Sequence, residues 1–137
     1  MGFLNTTAQA TIGKNEPSPV RVEVELDIFS GMPNPTWVLT DAEAGSFLKK
    51  LAELPPASPT KLSGNLGYRG LVVHVTQGAD TQLIYVQNRI VHIVKGTMDV
   101  YAYDDDRKME RWLLNTGKPH LKNELSQVVE REFRRLP

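Results

Sequence analysis

Residues 20–28 place the strongest constraint on how this chain can fold. Apolar and polar side chains alternate through the segment without a break. The apolar positions are Val20, Val22, Val24, Leu26 and Ile28, and the positions between them are Arg21, Glu23, Glu25 and Asp27. Successive side chains of a β-strand point to opposite faces. This period of two therefore predicts a strand with one buried and one solvent-facing side.

The stretch from residue 67 to residue 95 predicts three further strands, because β-branched and aromatic residues cluster in three short runs. The connections between the runs are too short for a crossover, so neighbouring strands must be antiparallel. The extended segment at 36–39 brings the sheet to about five strands, and a second short segment at 100–103 is a candidate for another. The three runs are Leu71–Val75, Gln82–Val86 and Ile90–Val94, and the shorter segments are Thr36–Leu39 and Val100–Tyr103.

Helical patterns occur once between the strands and twice after them. Thr40 and Glu43 form a capping box ahead of an apolar stripe, and Pro55-Pro56 ends this inserted helix. The first C-terminal helix is predicted to be capped by Asp104 or Asp105 and to stop at Gly117 in a left-handed conformation.

The second C-terminal helix is predicted to carry Pro119 in its first turn. The expected fold is therefore α+β, with an antiparallel sheet, one inserted helix and two C-terminal helices. The 137 residues suit a single domain at 20–137, preceded by a flexible N-terminal arm at 1–19.

Composition excludes several function classes. Sixteen basic and sixteen acidic residues cancel, so no global field attracts nucleic acid or an anionic membrane, and neither partner is expected. Cysteine is absent, which removes disulfides, thiolate nucleophiles and iron–sulfur sites. With no cofactor-binding motif, no cofactor is expected.

A signal-peptide pattern and a membrane-spanning apolar run are missing, so a cytoplasmic location is the expectation, with a mature secreted form as the alternative.

The segment Asp27–Trp37 is the most distinctive part of the chain. Asp27, Ser30 and Asn34 supply oxygen atoms around a tight turn that two prolines stiffen. Such a loop can hold a ligand, although three oxygens are too few for an ordinary calcium site. Alternatively, Ser30 and Asn34 bond to their own backbone and Trp37 belongs to the core.

Tyr68 and Arg69 lie between Gly67 and Gly70, which brings the guanidinium of Arg69 close to backbone. There it could present its fork to a carboxylate or a phosphate. The alternative is a bulge at a strand edge, where glycines are common.

These segments resemble a group of small uncharacterised bacterial proteins that share three motifs. The resemblance is carried by Asp27–Trp37 (Asp-x-Phe-Ser-Gly-x-Pro-Asn-Pro-x-Trp), by Gly67-Tyr68-Arg69-Gly70, and by Trp112–Gly117 (Trp-Leu-Leu-x-Thr-Gly). It covers 21 of the 137 residues. It implies a stand-alone bacterial domain and no particular chemistry.

His74 and His92 are candidate metal ligands, with Asp27 as a third. Both histidines lie in the middle of predicted strands that flank a third strand. Strands separated in this way lie about 9.6 Å apart, twice the usual spacing, which is long for a shared metal. The alternative is that each histidine is hydrogen-bonded locally in a half-buried strand.

Three functional hypotheses remain from the sequence. The first is a binding or protein-interaction domain whose contact surface joins residues 30–37 to residues 55–70. The second is a small metal-dependent enzyme that uses His74 and His92. The third is a homodimer through the helical C-terminal face. The predicted ligand- or partner-binding residues are Ser30, Met32, Asn34, Trp37, Tyr68 and Arg69.

Overall fold

The computed structural model describes residues 19–29, 31–61 and 67–135, and its centre is one six-stranded sheet. The spatial order of the strands is β2-β1-β3-β4-β5-β6, and every neighbouring pair is antiparallel. The predicted α+β class is therefore confirmed, with one strand more than expected. The strands are β1 (Val20–Leu26), β2 (Thr36–Val38), β3 (Leu71–Gln77), β4 (Asp80–Gln87), β5 (Ile90–Lys95) and β6 (Met98–Tyr103).

The alternating pattern of β1 has the predicted consequence. Val22, Val24 and Leu26 are fully buried, while the polar residues between them are partly exposed. β1 lies inside the sheet, between β2 and β3. Its buried face belongs to one core cluster with residues of all three helices, so the helices pack against that face.

Two-residue turns connect β3 through β6, as the predicted meander requires. Asn88 and Arg89 both have positive φ angles, 46° and 75°, which is the conformation of a type I′ hairpin turn. After the turn at Gly96-Thr97, β6 begins at Met98, two residues earlier than predicted. The predicted N-terminal arm lies outside the described residues, apart from Pro19.

Helix α1 (Asp41–Ala52) begins and ends as the sequence predicts. The Thr40 hydroxyl accepts a hydrogen bond from the Glu43 amide, and the Glu43 carboxylate accepts one from the Thr40 amide. Phe47 of this helix is fully buried in the core. The helix ends shortly before Pro55.

Helix α2 (Lys108–Gly117) follows a short 3₁₀ turn at Asp105–Arg107. The Asp104 carboxylate accepts hydrogen bonds from the amides of Met109 (2.8 Å) and Glu110 (3.1 Å). These amides lie in the first turn of the helix and have no acceptor within it.

The prediction of a left-handed Gly117 is wrong. Gly117 has φ −86°, and its lack of a side chain serves packing, because a Cβ there would lie 2.6 Å from Cη2 of Trp37.

Helix α3 (Asn123–Arg135) starts later than predicted. Pro119 lies in a 3₁₀ turn at Lys118–His120 and not in the first turn of α3. Leu121 then adopts an extended conformation and separates the two elements. Val129 anchors α3 in the core. Within the described part of the chain, no helix combines the length and apolar character needed to span a bilayer.

Candidate functional site

The turn that follows β1 is fixed by the side chain of Asn34. Its Oδ1 accepts hydrogen bonds from the amides of Ile28 (3.1 Å) and Phe29 (2.8 Å). Its Nδ2 donates to Oε2 of Glu25 (2.8 Å) and to Oδ1 of Asp27 (3.4 Å). Asn34 thus hydrogen-bonds to the backbone of its own turn, which is the alternative that the sequence left open for this residue. Ser30 lies outside the described residues.

Arg69 ties the same turn to residues 67–70. Its Nη2 donates to Oδ1 of Asp27 (2.8 Å) and to the carbonyl of Phe29 (2.8 Å), and its Nε also reaches Asp27 (3.2 Å). The neighbouring Gly70 has φ +87°, and a Cβ there would lie 2.8 Å from Cβ of Gln87. Glycine is therefore required beside Arg69 by both backbone conformation and space.

A polar cluster results from these contacts, and it extends to His74 on β3. Nε2 of His74 lies 3.1 Å from Oε1 of Glu25. Partial burial raises the pKa of Glu25, but the hydrogen bonds from Asn34 and His74 outweigh this effect and hold that pKa below its ordinary value. The polar cluster comprises Glu25, Asp27, Asn34, Arg69 and His74.

His92 belongs to a different cluster. Its Nε2 lies 2.7 Å from Oδ1 of Asp99, and its ring stacks on Tyr101 with a centroid distance of 4.2 Å. β4 lies between the strands of His74 and His92, as the sequence predicts. Each histidine contacts its own carboxylate, and Asp27 contacts Arg69.

Of the three residues predicted as metal ligands, Asp27 and His74 share the polar cluster, and His92 lies apart from it with Asp99. Among the described residues, no group of three or more histidines and carboxylates is arranged to hold a metal ion.

Trp37 and Tyr68, both predicted to bind a ligand or partner, are buried at 3% and 6% exposure. The Trp37 indole donates from Nε1 to the hydroxyl of Thr116 (3.0 Å). The Tyr68 hydroxyl donates to the carboxylate of Glu110. Trp37 thus connects β2 to α2, and Tyr68 connects the segment before β3 to α2.

A buried ion pair beside Tyr68 was missed by the sequence reasoning. Glu110 is fully buried and accepts two hydrogen bonds from Arg107, at 2.8 and 2.7 Å, and one from the amide of Asn88. Burial lowers the pKa of Arg107, but the bonds and charge of Glu110 outweigh it and raise that pKa overall. The spacing of three residues is the only sequence signal for the pair, and it is equally common on exposed helices.

Met32 is the predicted binding residue that the structure does expose, at 57%. It lies at an apolar groove of about 500 Å³ between the 31–35 turn and α3, and no described residue of the predicted 55–70 segment lines this groove. The helical wall of this groove was not predicted from the sequence. The groove is lined by Phe29, Met32, Pro35, His120, Leu121, Lys122, Glu124, Leu125 and Val128.

No family model, curated protein or solved structure matches this chain in comparisons with known proteins. The interpretation of the site therefore depends on its own geometry. The polar cluster holds the 31–35 turn, and Met32 and Pro35 of the same turn line the apolar groove.

Proposed function

We propose that this protein is a binding domain that holds an apolar segment of another protein in the groove between the 31–35 turn and α3. The observation that carries the proposal is the exposure of Met32 at the rim of this groove. Large apolar side chains at the edge of a concave apolar surface are typical of interaction sites.

The rigidity of the turn supports this proposal. Asn34 and Arg69 hold the backbone at residues 27–29, and Pro33 and Pro35 restrict the segment that carries Met32. Because the turn is ordered before a partner arrives, binding loses less conformational entropy. The flexible thioether of Met32 can still adapt to the shape of the partner.

The shape of the groove indicates the class of partner. Its volume lies in the range of ordinary ligand sites. Leu121 and Leu125 are half-buried in it, and Val128 is 36% exposed. An amphipathic helix or extended segment with a few apolar side chains would cover these residues, while Lys122 and Glu124 would meet its polar side.

Peptide selection tests the proposal without knowledge of the natural partner. A random peptide library displayed on phage is selected on the wild-type protein and counter-selected on Met32→Asp/Val128→Asp. We expect peptides with apolar residues at helical or alternating spacing. In fluorescence polarisation, their affinity should fall at least about tenfold for the double variant, since two apolar contacts are replaced by charges.

Met98→Asp is the matched control, because Met98 is equally prominent, at 61% exposure, but lies on β6 away from the groove. It should leave peptide affinity unchanged. Peptides that bind the wild type and the groove variant equally, or a selection that yields no apolar motif, would refute the assignment.

A further inference from the structure

A second depression, separate from the apolar groove, lies between α2 and α3. Its volume is about 600 Å³, and its described lining comes from both helices and from Lys118 in the 3₁₀ turn between them. Among the described residues of this lining, three side chains are cationic and one is acidic. The lining residues are Arg111, Leu114, Asn115, Lys118, Glu130 and Arg134.

The position of Arg111 is determined by strained backbone before α2. Asp106 and Arg107 both adopt left-handed conformations, with φ angles of 53° and 56°, which are unfavourable for residues other than glycine. The buried pair of Arg107 and Glu110 holds this conformation in place. The Asp106 carbonyl accepts a hydrogen bond from Nε of Arg111 (3.2 Å), and Oδ1 of Asp106 lies 3.9 Å from Nη2, so Asp106 orients the guanidinium.

The charge of this depression is local. The whole chain has equal numbers of acidic and basic residues, whereas the described lining here holds three cations and one carboxylate, that of Glu130. The Asp106 carboxylate is outside this lining, but its Oδ1 lies 3.9 Å from Nη2 of Arg111 and offsets part of that charge. The guanidinium forks of Arg111 and Arg134 match the geometry of phosphate and carboxylate groups, and the Lys118 ammonium adds a compact charge. The amide of Asn115 supplies a further hydrogen-bond donor, and Leu114 an apolar contact.

We propose that the depression between α2 and α3 binds a small anion with more than one negative charge, carried by phosphate or carboxylate groups. This site goes beyond the proposed function, because it shares no lining residue with the apolar groove. The two sites can therefore be tested independently.

Titration calorimetry at low ionic strength with two probes tests this inference. Tripolyphosphate represents phosphate-bearing ligands, and citrate represents carboxylate-bearing ones. We expect one-to-one binding of at least one probe. The affinity should weaken as sodium chloride is added, because salt screens exposed charges.

The test variant is Lys118→Gln/Arg134→Gln, which removes two of the cations and leaves Arg111 on its structural contact. Hydrogen bonds to charged groups are strong enough that this double variant should weaken binding at least about tenfold. Arg21→Gln is the matched control. Arg21 is a cation with a 60% exposed side chain on β1, and the change should leave probe affinity unchanged.

Binding of tripolyphosphate alone would assign the site to phosphate-bearing ligands, and binding of citrate alone would assign it to carboxylates. Two results would overturn the inference. One is that neither probe binds at low ionic strength. The other is that the double variant and Arg21→Gln weaken binding equally, which would indicate general attraction to surface cations.

Discussion

The indole of Trp37 packs directly on the backbone of Gly117, so closely that no side chain fits between them. A Cβ at Gly117 would lie 2.6 Å from Cη2 and 2.7 Å from Cε2 of the ring. Next to this contact, Nε1 of Trp37 donates to the hydroxyl of Thr116. The edge strand β2 and the end of α2 are thereby joined by one side chain.

Contacts of this kind also connect three segments that are distant in the sequence, 27–37, 67–70 and 112–117. Trp37 of the first segment contacts Thr116 and Gly117 of the third, and Asp27 of the first binds Arg69 of the second. The segments therefore meet in one region, next to the apolar groove.

Gly117→Ala is expected to destabilise the protein by about 1–3 kcal/mol, because the added methyl group overpacks the indole of Trp37. The loss should appear as a lower urea midpoint. Gly45→Ala is the control, since Gly45 lies within α1 and a Cβ there meets nothing within 4 Å. That change should stabilise the helix by up to about 1 kcal/mol. Equal effects of the two substitutions would contradict the packing contact.

Asn34→Ala is expected to cost about 1–3 kcal/mol of unfolding free energy. It leaves the amides of Ile28 and Phe29 without their acceptor and removes the donor to Glu25. Chemical denaturation measures the loss. Asn115→Ala, an exposed position on α2, should change stability by less than about 0.5 kcal/mol. If both variants unfold at the wild-type midpoint, Asn34 does not hold the turn.

The loss of unfolding free energy at acid pH should depend on Glu25. Its pKa in the folded state lies below the ordinary value of 4.5, so its carboxylate stabilises the fold above that pH. This contribution is lost as the pH falls through the lower folded-state pKa. The difference in unfolding free energy between wild type and Glu25→Gln should therefore narrow below about pH 4.5.

The control for this pH series is Glu53→Gln, which removes an exposed carboxylate at the end of α1. Its difference from the wild type should not show the same narrowing. The difference in unfolding free energy between wild type and Glu25→Gln could instead stay constant from neutral to acid pH. That result would exclude the proposed role of Asn34 and His74 as partners of this carboxylate.

Tyr68 should remain protonated in the native protein at alkaline pH. Burial raises the pKa of its phenol above the ordinary value of 10.0, and the charge of Glu110 raises it further. The protonated phenol of Tyr68 contributes fully to the unfolding free energy below pH 10.0. This contribution is lost as the pH rises through the higher folded-state pKa of the phenol. Native wild type and Tyr68→Phe should consequently show the same phenolate absorbance in a mild alkaline titration.

When the same alkaline titration is carried out in urea, the two proteins should differ by one phenolate, because every tyrosine is then exposed to solvent. This measurement is the internal control for the number of tyrosines. A difference of one phenolate already present in the native state would show that Tyr68 ionises in the fold and that the hydrogen bond to Glu110 is absent.

The strands and hairpins could be predicted from the sequence because their signals are local. Alternation from Val20 to Ile28 determines which side of β1 is buried, and two-residue turns leave antiparallel pairing as the only geometry. The Thr40–Glu43 capping box is similarly contained within one helical turn. Predictions that used a single glycine or proline, Gly117 and Pro119, were wrong because neighbouring elements and not local preference set their conformations.

The sites depended on contacts between distant parts of the chain, and only the tertiary structure decided them. Trp37 and Thr116 are 79 positions apart, and Asp27 and Arg69 are 42 apart. The sequence predicted that Trp37, Asn34, Tyr68 and Arg69 bind a ligand or partner. In the folded protein their side chains instead hydrogen-bond to other parts of the chain. Met32 alone of the described candidates remained on an apolar surface, because α3 packs beside its turn and forms a groove that no local pattern encodes.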